Sequence, residues 1–278
     1  MKRNIVIAGL GLIGGSLAKA FRKYTDFSVA GIDRDPAVLR AALDCGAIRK
    51  AGDERDIAKA DILFLCLYPQ ACLDFVREHL SGIRPGSLVT DTCGIKSYLC
   101  PRLRRAAAEH GFRFVGGHPM AGKEKRGFGE SDADLFLGAS YLVVPCGAAP
   151  EDVELLKSVV APLGIARTVM TTPEEHDRMI AFTSQLPHVL ACGYVMSPQC
   201  PDHEGFSAGS YRDVSRVANI NEAMWSELFL ENRAFLVKEL DTLLLHIGEI
   251  RDAIDAGDRP ALQALLQKGR LIKEGLGE

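Results

Sequence analysis

Residues 4–17, from Asn4 to Leu17, read NIVIAGLGLIGGSL: a short apolar run, glycines spaced G-x-G-x-x-G, and the start of a helical pattern. A second apolar run, residues 27–32, follows and is ended by Asp33. The glycine spacing alone is a weak signal. Together with a preceding strand, a following helix and an acid at the end of the next strand, it is typical of a dinucleotide-binding βαβ unit. The alternative is a glycine-rich turn in an α/β domain that binds no nucleotide.

The three glycines of this turn have separate expected roles. Gly9 allows the tight turn, Gly11 lets a pyrophosphate approach the backbone, and Gly14 lets the helix pack closely on the strand. The N-terminus of the helix offers free N–H groups and a partial positive charge to the phosphates. We therefore expect NAD as the cofactor. The expected cofactor contacts are Gly9, Gly11, Leu12, Ile13, Gly14, Asp33, Arg34, Cys66 and Leu67.

Asp33 sets the expected choice between NAD and NADP. Its carboxylate is placed to accept hydrogen bonds from the adenosine ribose hydroxyls, and its charge repels a 2′-phosphate. Arg34 weakens this preference, because an arginine beside the ribose can hold a 2′-phosphate.

The composition restricts the class of protein and of partner. The 278 residues are enough for two domains, and 25% charged with 47% hydrophobic residues is the balance of a globular protein. The net charge of −3 without a basic tract argues against a nucleic-acid partner. No apolar run approaches the roughly 20 residues that a membrane span needs, so we expect no membrane association.

The cysteines and the N-terminus bear on location. The first strand begins almost at Met1, so we expect no signal peptide. The eight cysteines are scattered singly, and none has the C-x-x-C spacing of a zinc site or a redox pair. Isolated thiols favour a reducing compartment, so we predict a cytoplasmic protein without a metal.

Short apolar runs alternate with helical patterns up to about residue 170. The candidate strands are residues 4–8, 28–33, 62–67, 87–91, 113–116, 140–145 and 166–170. Such alternation indicates a mainly parallel sheet covered on both faces. We therefore predict an α/β Rossmann domain over residues 1–170, followed by an all-α dimerisation domain over residues 171–278.

The second part of the chain carries helix signals only. Residues 172–175, TPEE, are a helix start in which Thr172 is the cap, and Pro187 should kink the helix that follows. Residues 219–222, NINE, open another helix that we expect to run to about Ala256. That helix carries apolar residues at alternating gaps of four and three: Leu236, Leu240, Leu243, Ile247, Ile250 and Ile254.

This apolar seam needs a partner helix. One interpretation is packing inside its own helical domain, against Leu262, Leu265, Leu266 and Leu271. The other is a homodimer with helices packed across a two-fold axis, which we favour because about 100 helical residues make a thin core alone.

Three groups of side chains could act on a substrate. His118 follows a predicted strand between glycines, where an imidazole can take a proton from a substrate hydroxyl; the alternative is a structural loop histidine. His188 follows Pro187, which could aim it into a cleft, or it is an ordinary helical histidine. Arg212 and Arg216 suit a carboxylate, or they belong to a solvated helix face.

Several segments together resemble the prephenate/arogenate dehydrogenase family. They are GLGLIGGS from residue 9, DTCGIK from residue 91, GGHPMAGKE from residue 116, TSQLPH from residue 183, RDVSR from residue 212 and MW at residues 224–225. They occur in the family's order and cover most of the chain. The resemblance implies an NAD-dependent oxidative decarboxylation of prephenate to 4-hydroxyphenylpyruvate in tyrosine biosynthesis, with small-molecule substrates only.

The resemblance also implies residue roles. His118 matches the catalytic histidine, His188 a second histidine that positions substrate, and Arg216 the arginine that grips a substrate carboxylate. Arg212 is a weaker candidate for that grip. Other matching positions line or gate the pocket, and a charged gate could pair with Arg216 in the empty site: these positions are Glu124, Asp213 and Trp225.

Gly94 departs from the family pattern, since many members have a serine there that helps bind the substrate hydroxyl. In this chain that contact comes from Ser97, Thr92 or water, or it is absent. Residues 218–222, ANINE, also replace a more usual helix start without an expected effect on function.

Three alternatives remain open at this point. Arogenate, which has an amino group in place of the side-chain keto group, is the main rival substrate. A β-hydroxyacid dehydrogenase is a second enzyme class, but those families usually use a lysine base. A non-catalytic NAD-binding paralogue is suggested only by Gly94.

Overall fold

The computed structural model describes residues 3–277, and strands alternate with helices through its first 170 residues. The strands are β1 (Asn4–Ala8), β2 (Ser28–Ile32), β3 (Lys50–Ala51), β4 (Ile62–Leu65), β5 (Leu88–Asp91), β6 (Arg113–Pro119), β7 (Ser140–Val144) and β8 (Arg167–Met170). The helices of this part are α1 (Leu12–Tyr24), α2 (Pro36–Asp44), α3 (Glu54–Ile57), α4 (Pro69–His79), α5 (Cys100–His110) and α6 (Pro150–Val160).

The eight strands form one sheet in the order β3-β2-β1-β4-β5-β6-β7-β8. All neighbouring pairs are parallel except β6 and β7, which are antiparallel. β1 lies between β2 and β4, with Val6 in register with Ala30 on one side and Leu63 on the other. The chain reverses its strand order beside β1, which is where a doubly wound sheet binds its ligand.

The hydrophobic core lies on both faces of the sheet, because successive residues of a strand point to opposite sides. Ile5 and Ile7 of β1 pack in one buried cluster with Phe21 of α1, and Val6 and Ala8 belong to a second cluster. The predicted mainly parallel sheet with helices on both faces is therefore confirmed.

The predicted strands agree with the observed ones to within three residues at each end, with two differences. β3 was not predicted, because Lys50 and Ala51 are exposed and form no apolar run. β6 continues to Pro119 because Gly116–Pro119 pairs with β7. The expectation that His118 follows the strand was wrong: it lies inside β6.

The next part of the chain is helical: α7 (Pro173–Ile180), a π-helical segment (Ala181–Gln185), α8 (Leu186–Val195), α9 (Gly209–Ser215) and α10 (Glu222–Glu231). Thr172 caps α7 as predicted, its Oγ1 accepting a hydrogen bond from the Glu175 N–H at 3.2 Å. The irregularity predicted at Pro187 precedes it, in the π-helical segment, and Pro187 itself lies in the first turn of α8.

The chain forms two compact units, the first ending at Asn232 and the second beginning at Arg233. The second unit consists of α11 (Arg233–Asp255) and α12 (Arg259–Gly275), which contact each other. The single helix expected up to Ala256 was wrong, since α10 ends at Glu231. The domain boundary at residues 170 and 171 stays a prediction. Among the described residues, no helix is both long and apolar enough for a membrane crossing.

Candidate active site

The glycine turn between β1 and α1 has the shape that the spacing predicts. Gly9 has φ +87°, and a Cβ there would lie 2.5 Å from the Cys66 carbonyl oxygen. A Cβ on Gly14 would lie 1.8 Å from the Gly9 carbonyl oxygen, so both positions exclude any side chain. At Gly11 no heavy atom comes within 4 Å of that point, and no side chain caps α1. The backbone from Gly11 through Leu12 and Ile13 is thus open to an anion.

Asp33 follows β2 and is tied to the glycine turn. Its Oδ2 accepts the Leu10 N–H at 2.8 Å, and its Oδ1 accepts the Asp35 N–H at 2.9 Å. Each oxygen keeps a lone pair for a further donor, so a ribose diol can still be bound. Arg34 is exposed directly beside it.

Cys66 and Leu67 lie at the carboxyl end of β4, against the same turn. The Cys66 N–H donates to the Ala8 carbonyl at 2.8 Å, and the Leu67 Cδ2 lies 2.7 Å from the Cβ position of Gly9. Burial raises the pKa of the Cys66 thiol to about 12, so the thiol is un-ionised at pH 7, and its contact with the cofactor stays a prediction.

His118 is the second-last residue of β6, and one edge of its ring lies against Gly94. The Cβ position of Gly94 is 3.8 Å from both Nε2 and Cε1 of His118, and also 3.8 Å from the Leu228 Cδ1. Burial, followed by the charges of His176 and Lys96, holds the pKa of His118 well below its usual 6.5. The imidazole is therefore neutral at pH 7 and able to accept a proton through Nε2.

A fully buried ion pair supports the strand that carries His118. The Lys96 Nζ contacts the Asp91 Oδ2 and donates to the Gly117 carbonyl at 2.7 Å and the Cys93 carbonyl at 2.9 Å. Burial lowers the pKa of Lys96, but the Asp91 carboxylate and neighbouring groups outweigh it and leave that pKa raised. Removing one partner would strand a buried charge, which typically costs about 3–5 kcal/mol.

Two further residues, which the sequence analysis missed, stand behind His118. The His176 Nε2 lies 2.9 Å from the His118 Nδ1, and the His176 Nδ1 lies 2.7 Å from the Asp177 Oδ1. Both belong to α7 and are fully buried. Burial lowers the pKa of His176, while its bond to Asp177 acts in the opposite direction.

The two hydroxyls considered as substitutes for the family serine differ in environment. The Ser97 Oγ is buried and forms no hydrogen bond with a described residue, so it keeps its donor and acceptor capacity for a ligand. The Thr92 Oγ1 lies 3.5 Å from the Leu65 carbonyl oxygen. Of the two hydroxyls, that of Ser97 is the one without a partner among the described residues, and its contact with a substrate stays a prediction.

A second group of predicted residues gathers around Arg216. The Arg216 Nη1 contacts the Glu124 Oε1, and the Asn219 Nδ2 donates to the Glu124 carbonyl at 3.1 Å. The Arg216 side chain is 60% exposed and the Glu124 side chain is 40% exposed. The ion pair between Arg216 and Glu124 is thus present in the structure, and the role of Glu124 as a gate stays a prediction.

His188 and Trp225 stack face to face with ring centroids 3.8 Å apart. The His188 Nδ1 donates to the Ser184 carbonyl at 2.8 Å, which leaves Nε2 as an acceptor in the neutral ring. Burial lowers the pKa of His188, so the neutral form prevails at pH 7.

Helix α10 connects the two groups. The Leu228 Cδ1 and the His118 ring each lie 3.8 Å from the Cβ position of Gly94, and Trp225, three residues before Leu228 in the same helix, stacks on His188. Residues three apart share one helix face, about 5–6 Å from each other. The structure therefore places His118 and His188 along the same face of α10.

Arg212 and Asp213 are not joined to these groups. Both lie on α9, and their exposed side chains form no hydrogen bond or ion pair with a residue in the range 3–277. Their roles in substrate binding stay predictions.

Comparison with known proteins identifies the family. Residues 17–169 match the family model "Prephenate dehydrogenase, nucleotide-binding domain", and residues 172–268 match "Prephenate dehydrogenase, dimerization domain". Prephenate dehydrogenase of Bacillus subtilis (strain 168) is 30% identical over 286 aligned positions, which cover 99% of this chain and 76% of that protein.

Two solved structures have the same architecture. Synechocystis arogenate dehydrogenase is similar with a TM-score of 0.81 and 27% identity, covering 99% of this chain and 100% of that one. Prephenate dehydrogenase from A. aeolicus, solved with hydroxyphenyl propionate and NAD+, has a TM-score of 0.87 at 24% identity and 99% coverage of both chains, which shows a shared fold. Because both family models match and a relative is 30% identical across 99% of this chain, the chain belongs to the prephenate dehydrogenase family of oxidoreductases.

Proposed function

We propose that this chain catalyses the NAD-dependent oxidative decarboxylation of prephenate to 4-hydroxyphenylpyruvate, with release of CO2 and NADH, in tyrosine biosynthesis. The observation that carries the proposal is the neutral, partly accessible His118 near the end of β6, with its Nε2 edge beside Gly94, which has no side chain. A buried neutral imidazole is the type of base that a hydroxyl oxidation needs at neutral pH.

The glycine turn fits the cofactor. Gly11 and the uncapped N-terminus of α1 would hold the pyrophosphate, and Asp33 would accept the ribose hydroxyls. Bound NAD supplies the acceptor for the hydride that leaves the hydroxyl-bearing ring carbon.

His118 moves the proton. Its Nε2 accepts the proton of the substrate hydroxyl while the carbon–oxygen bond becomes a carbonyl. When the ring carboxylate leaves as CO2, its bonding electrons restore an aromatic ring and place negative charge on that oxygen. His118 then returns the proton, so the product is a phenol and the reaction takes up no net proton. Aromatisation makes the step effectively irreversible, which leaves orientation as the main task of the protein.

Arg216 and His188 orient the substrate. A guanidinium can hold a carboxylate by two parallel hydrogen bonds, and Arg216 is exposed enough to exchange Glu124 for such a ligand. His188, fixed by Trp225 and by the Ser184 carbonyl, presents its Nε2 as an acceptor. The buried Ser97 hydroxyl, which has no partner among the described residues, is the candidate for the polar contact that Gly94 lacks.

Arogenate is the second candidate substrate, and Glu124 is the observation that favours it. A carboxylate beside the carboxylate-binding Arg216 is placed to accept hydrogen bonds from an ammonium group, which arogenate has and prephenate lacks. This reading also agrees with the similarity to the Synechocystis enzyme.

The test is an NADH absorbance assay on the purified chain with NAD, run in parallel on prephenate and arogenate. We expect turnover, and the ratio of the two kcat/KM values decides the substrate. His118→Asn should lose about 10²-fold or more in kcat while it still binds NAD. Wild-type turnover by this variant would disprove the base role, and NAD binding without turnover of either substrate would favour the non-catalytic alternative.

The proposal includes assembly and location. The family assignment of residues 172–268 to a dimerisation domain and the apolar seam of α11 support a homodimer through the C-terminal helices. The eight free cysteines suit a reducing cytoplasm.

A further inference from the structure

We infer that His176 and Asp177 are positioning residues that hold neutral His118 in the tautomer whose Nε2 is free to accept a proton. The inference rests on the proposed function for its kinetic meaning, but the tautomer itself is a property of the ligand-free protein. It follows from the direction of three consecutive hydrogen bonds.

The direction is set at the Asp177 carboxylate. Its Oδ1 accepts the Lys96 N–H at 2.8 Å and its Oδ2 accepts the Ser97 N–H at 2.7 Å, so both oxygens act as acceptors. The His176 Nδ1, 2.7 Å from the Asp177 Oδ1, must therefore carry a hydrogen and donate it.

Neutral His176 fixes the donor and the acceptor in the next hydrogen bond, the one to His118. With its hydrogen on Nδ1, neutral His176 has only a lone pair on Nε2, so Nε2 accepts. The His118 Nδ1, 2.9 Å away, must then donate, and the single hydrogen of neutral His118 lies on Nδ1. The remaining nitrogen, Nε2, is unprotonated and faces the space at Gly94.

The same chain stabilises His118 after it has taken up a proton. The cation keeps its Nδ1–H bond to the His176 Nε2, and the Asp177 carboxylate lies one imidazole further away. A hydrogen bond from a charged donor is stronger than one from a neutral donor, so the bond to His176 persists while the proton is on Nε2, although burial, His176 and Lys96 keep the pKa of His118 low. The positive charge is held until the aromatising ring takes the proton back.

Helix α7 is fixed independently of the imidazoles, which provides a control. The Asn232 Nδ2 donates to the Asp177 backbone carbonyl at 2.9 Å and to the Gln185 Oε1 at 2.7 Å. Asn232→Leu removes one buried hydrogen bond to α7 and one to the π-helical segment, without touching the contact between His118 and His176. It loosens the helix and leaves the tautomer chain in place.

The experiment is ¹⁵N NMR of the full-length protein labelled at histidine, without ligand, at a pH at which the imidazoles are neutral. The signals missing from His118→Asn assign those of His118. We expect an unprotonated Nε2 and a protonated Nδ1 in the wild type. His176→Leu removes the acceptor and should move His118 toward the Nε2–H form. His176→Gln, whose Oε1 can accept the same hydrogen bond, should keep the wild-type tautomer, as should Asn232→Leu.

Kinetics provide the second readout. His176→Leu should lower kcat about 10²-fold with little change in the KM of the substrate, and His176→Gln should recover most of that loss. Asn232→Leu should lower Tm without a comparable loss of kcat.

A wild-type His118 protonated at Nε2 would overturn the inference, and so would an unchanged His118 tautomer in His176→Leu. If the leucine variant does not fold, the wild-type spectrum and the glutamine variant still decide. If neither substrate is turned over, the proposed function fails, and the NMR result still judges the tautomer.

Discussion

The environment of His118 determines how activity should depend on pH. Burial and the nearby His176 and Lys96 hold the pKa of His118 well below 6.5, and a base is active only when it is unprotonated. As the pH falls, kcat/KM should therefore stay high through pH 6.5 and decline only well below it. A kcat/KM profile measured in overlapping buffers checks this expectation. An acid limb centred at or above pH 6.5 would contradict it.

If a substrate carboxylate binds Arg216 as proposed, Glu124 competes with it, because Glu124 already pairs with Arg216. An ion pair as exposed as this one is worth about 0–1 kcal/mol, so a substrate carboxylate can displace Glu124. In Glu124→Gln, the KM for prephenate should fall by up to about fivefold. The KM for arogenate should rise, because an acceptor for its ammonium group is lost. Steady-state kinetics with both substrates measure these opposite changes.

Glu130→Gln is the matched control for that variant. Glu130 pairs with Lys125 in the same part of the chain, and its side chain is also 40% exposed. It should leave both KM values unchanged. A rise in the prephenate KM of Glu124→Gln would instead mean that Glu124 binds the substrate.

At the residue scale, the sequence indicates the groups proposed to touch ligands better than the groups that support them. His118 and Arg216 were found because glycines at a strand end and an arginine pair are local patterns. His176 and Asp177 were missed because their function depends on a contact 58 positions away in the chain, between His176 and His118. An adjacent His–Asp pair inside a capped helix was the available signal, but it does not reveal what the helix faces.

The element that joins β1 to α1 offers a pair of matched substitutions. Gly14→Ala would place Cβ 1.8 Å from the Gly9 carbonyl oxygen, so the turn must shift and Tm should fall. Gly11→Ala meets no atom within 4 Å and has an ordinary φ of −69°, so Tm should be unchanged. If the pyrophosphate lies against Gly11, this variant should still lose about tenfold or more in NAD affinity, because the methyl group occupies the place of the phosphate.

Thermal unfolding and NAD titration of the two variants separate folding from binding. Unchanged NAD affinity in Gly11→Ala would mean that the cofactor does not approach this backbone.

The predictability of most elements followed their burial, and β8 is an exception, since Arg167, Val169 and Met170 are exposed. The strands with apolar runs were predicted because burial on both faces leaves a continuous hydrophobic signal. The two-residue β3 carries no such signal, and the direction of β7 depends on pairing rather than on composition. The break between α10 and α11 was missed because Asn232 is compatible with a helix. Its side chain is used for buried hydrogen bonds to Asp177 and Gln185, which periodicity does not show.

At the scale of the whole molecule, the seam of α11 predicts the oligomeric state. Two of its residues, Ile247 and Ile254, are 46% and 59% exposed in the single chain. The double variant Ile247→Glu/Ile254→Glu should turn a dimer into a monomer, because it places charge in an apolar contact. Sedimentation or light scattering measures the mass of each species.

Leu245→Glu is the control for this variant. Leu245 is 60% exposed and lies off the seam, on the other side of α11, so its variant should remain a dimer. A monomeric wild type, or equal effects of the seam and control variants, would disprove assembly through this seam.

The π-helical segment Ala181–Gln185 has a consequence for the evolution of the site. A π turn corresponds to one residue inserted into an α-helix, and each residue advances a helix by about 100°. Everything after the insertion is thereby rotated relative to α7, so His176 and His188 do not follow the phase of one regular helix. A single-codon deletion within this segment would restore regular winding and turn His188 away from Trp225. Point substitutions therefore cannot change the number of residues between the two histidines. In evolution this spacing changes only when a residue is inserted or deleted.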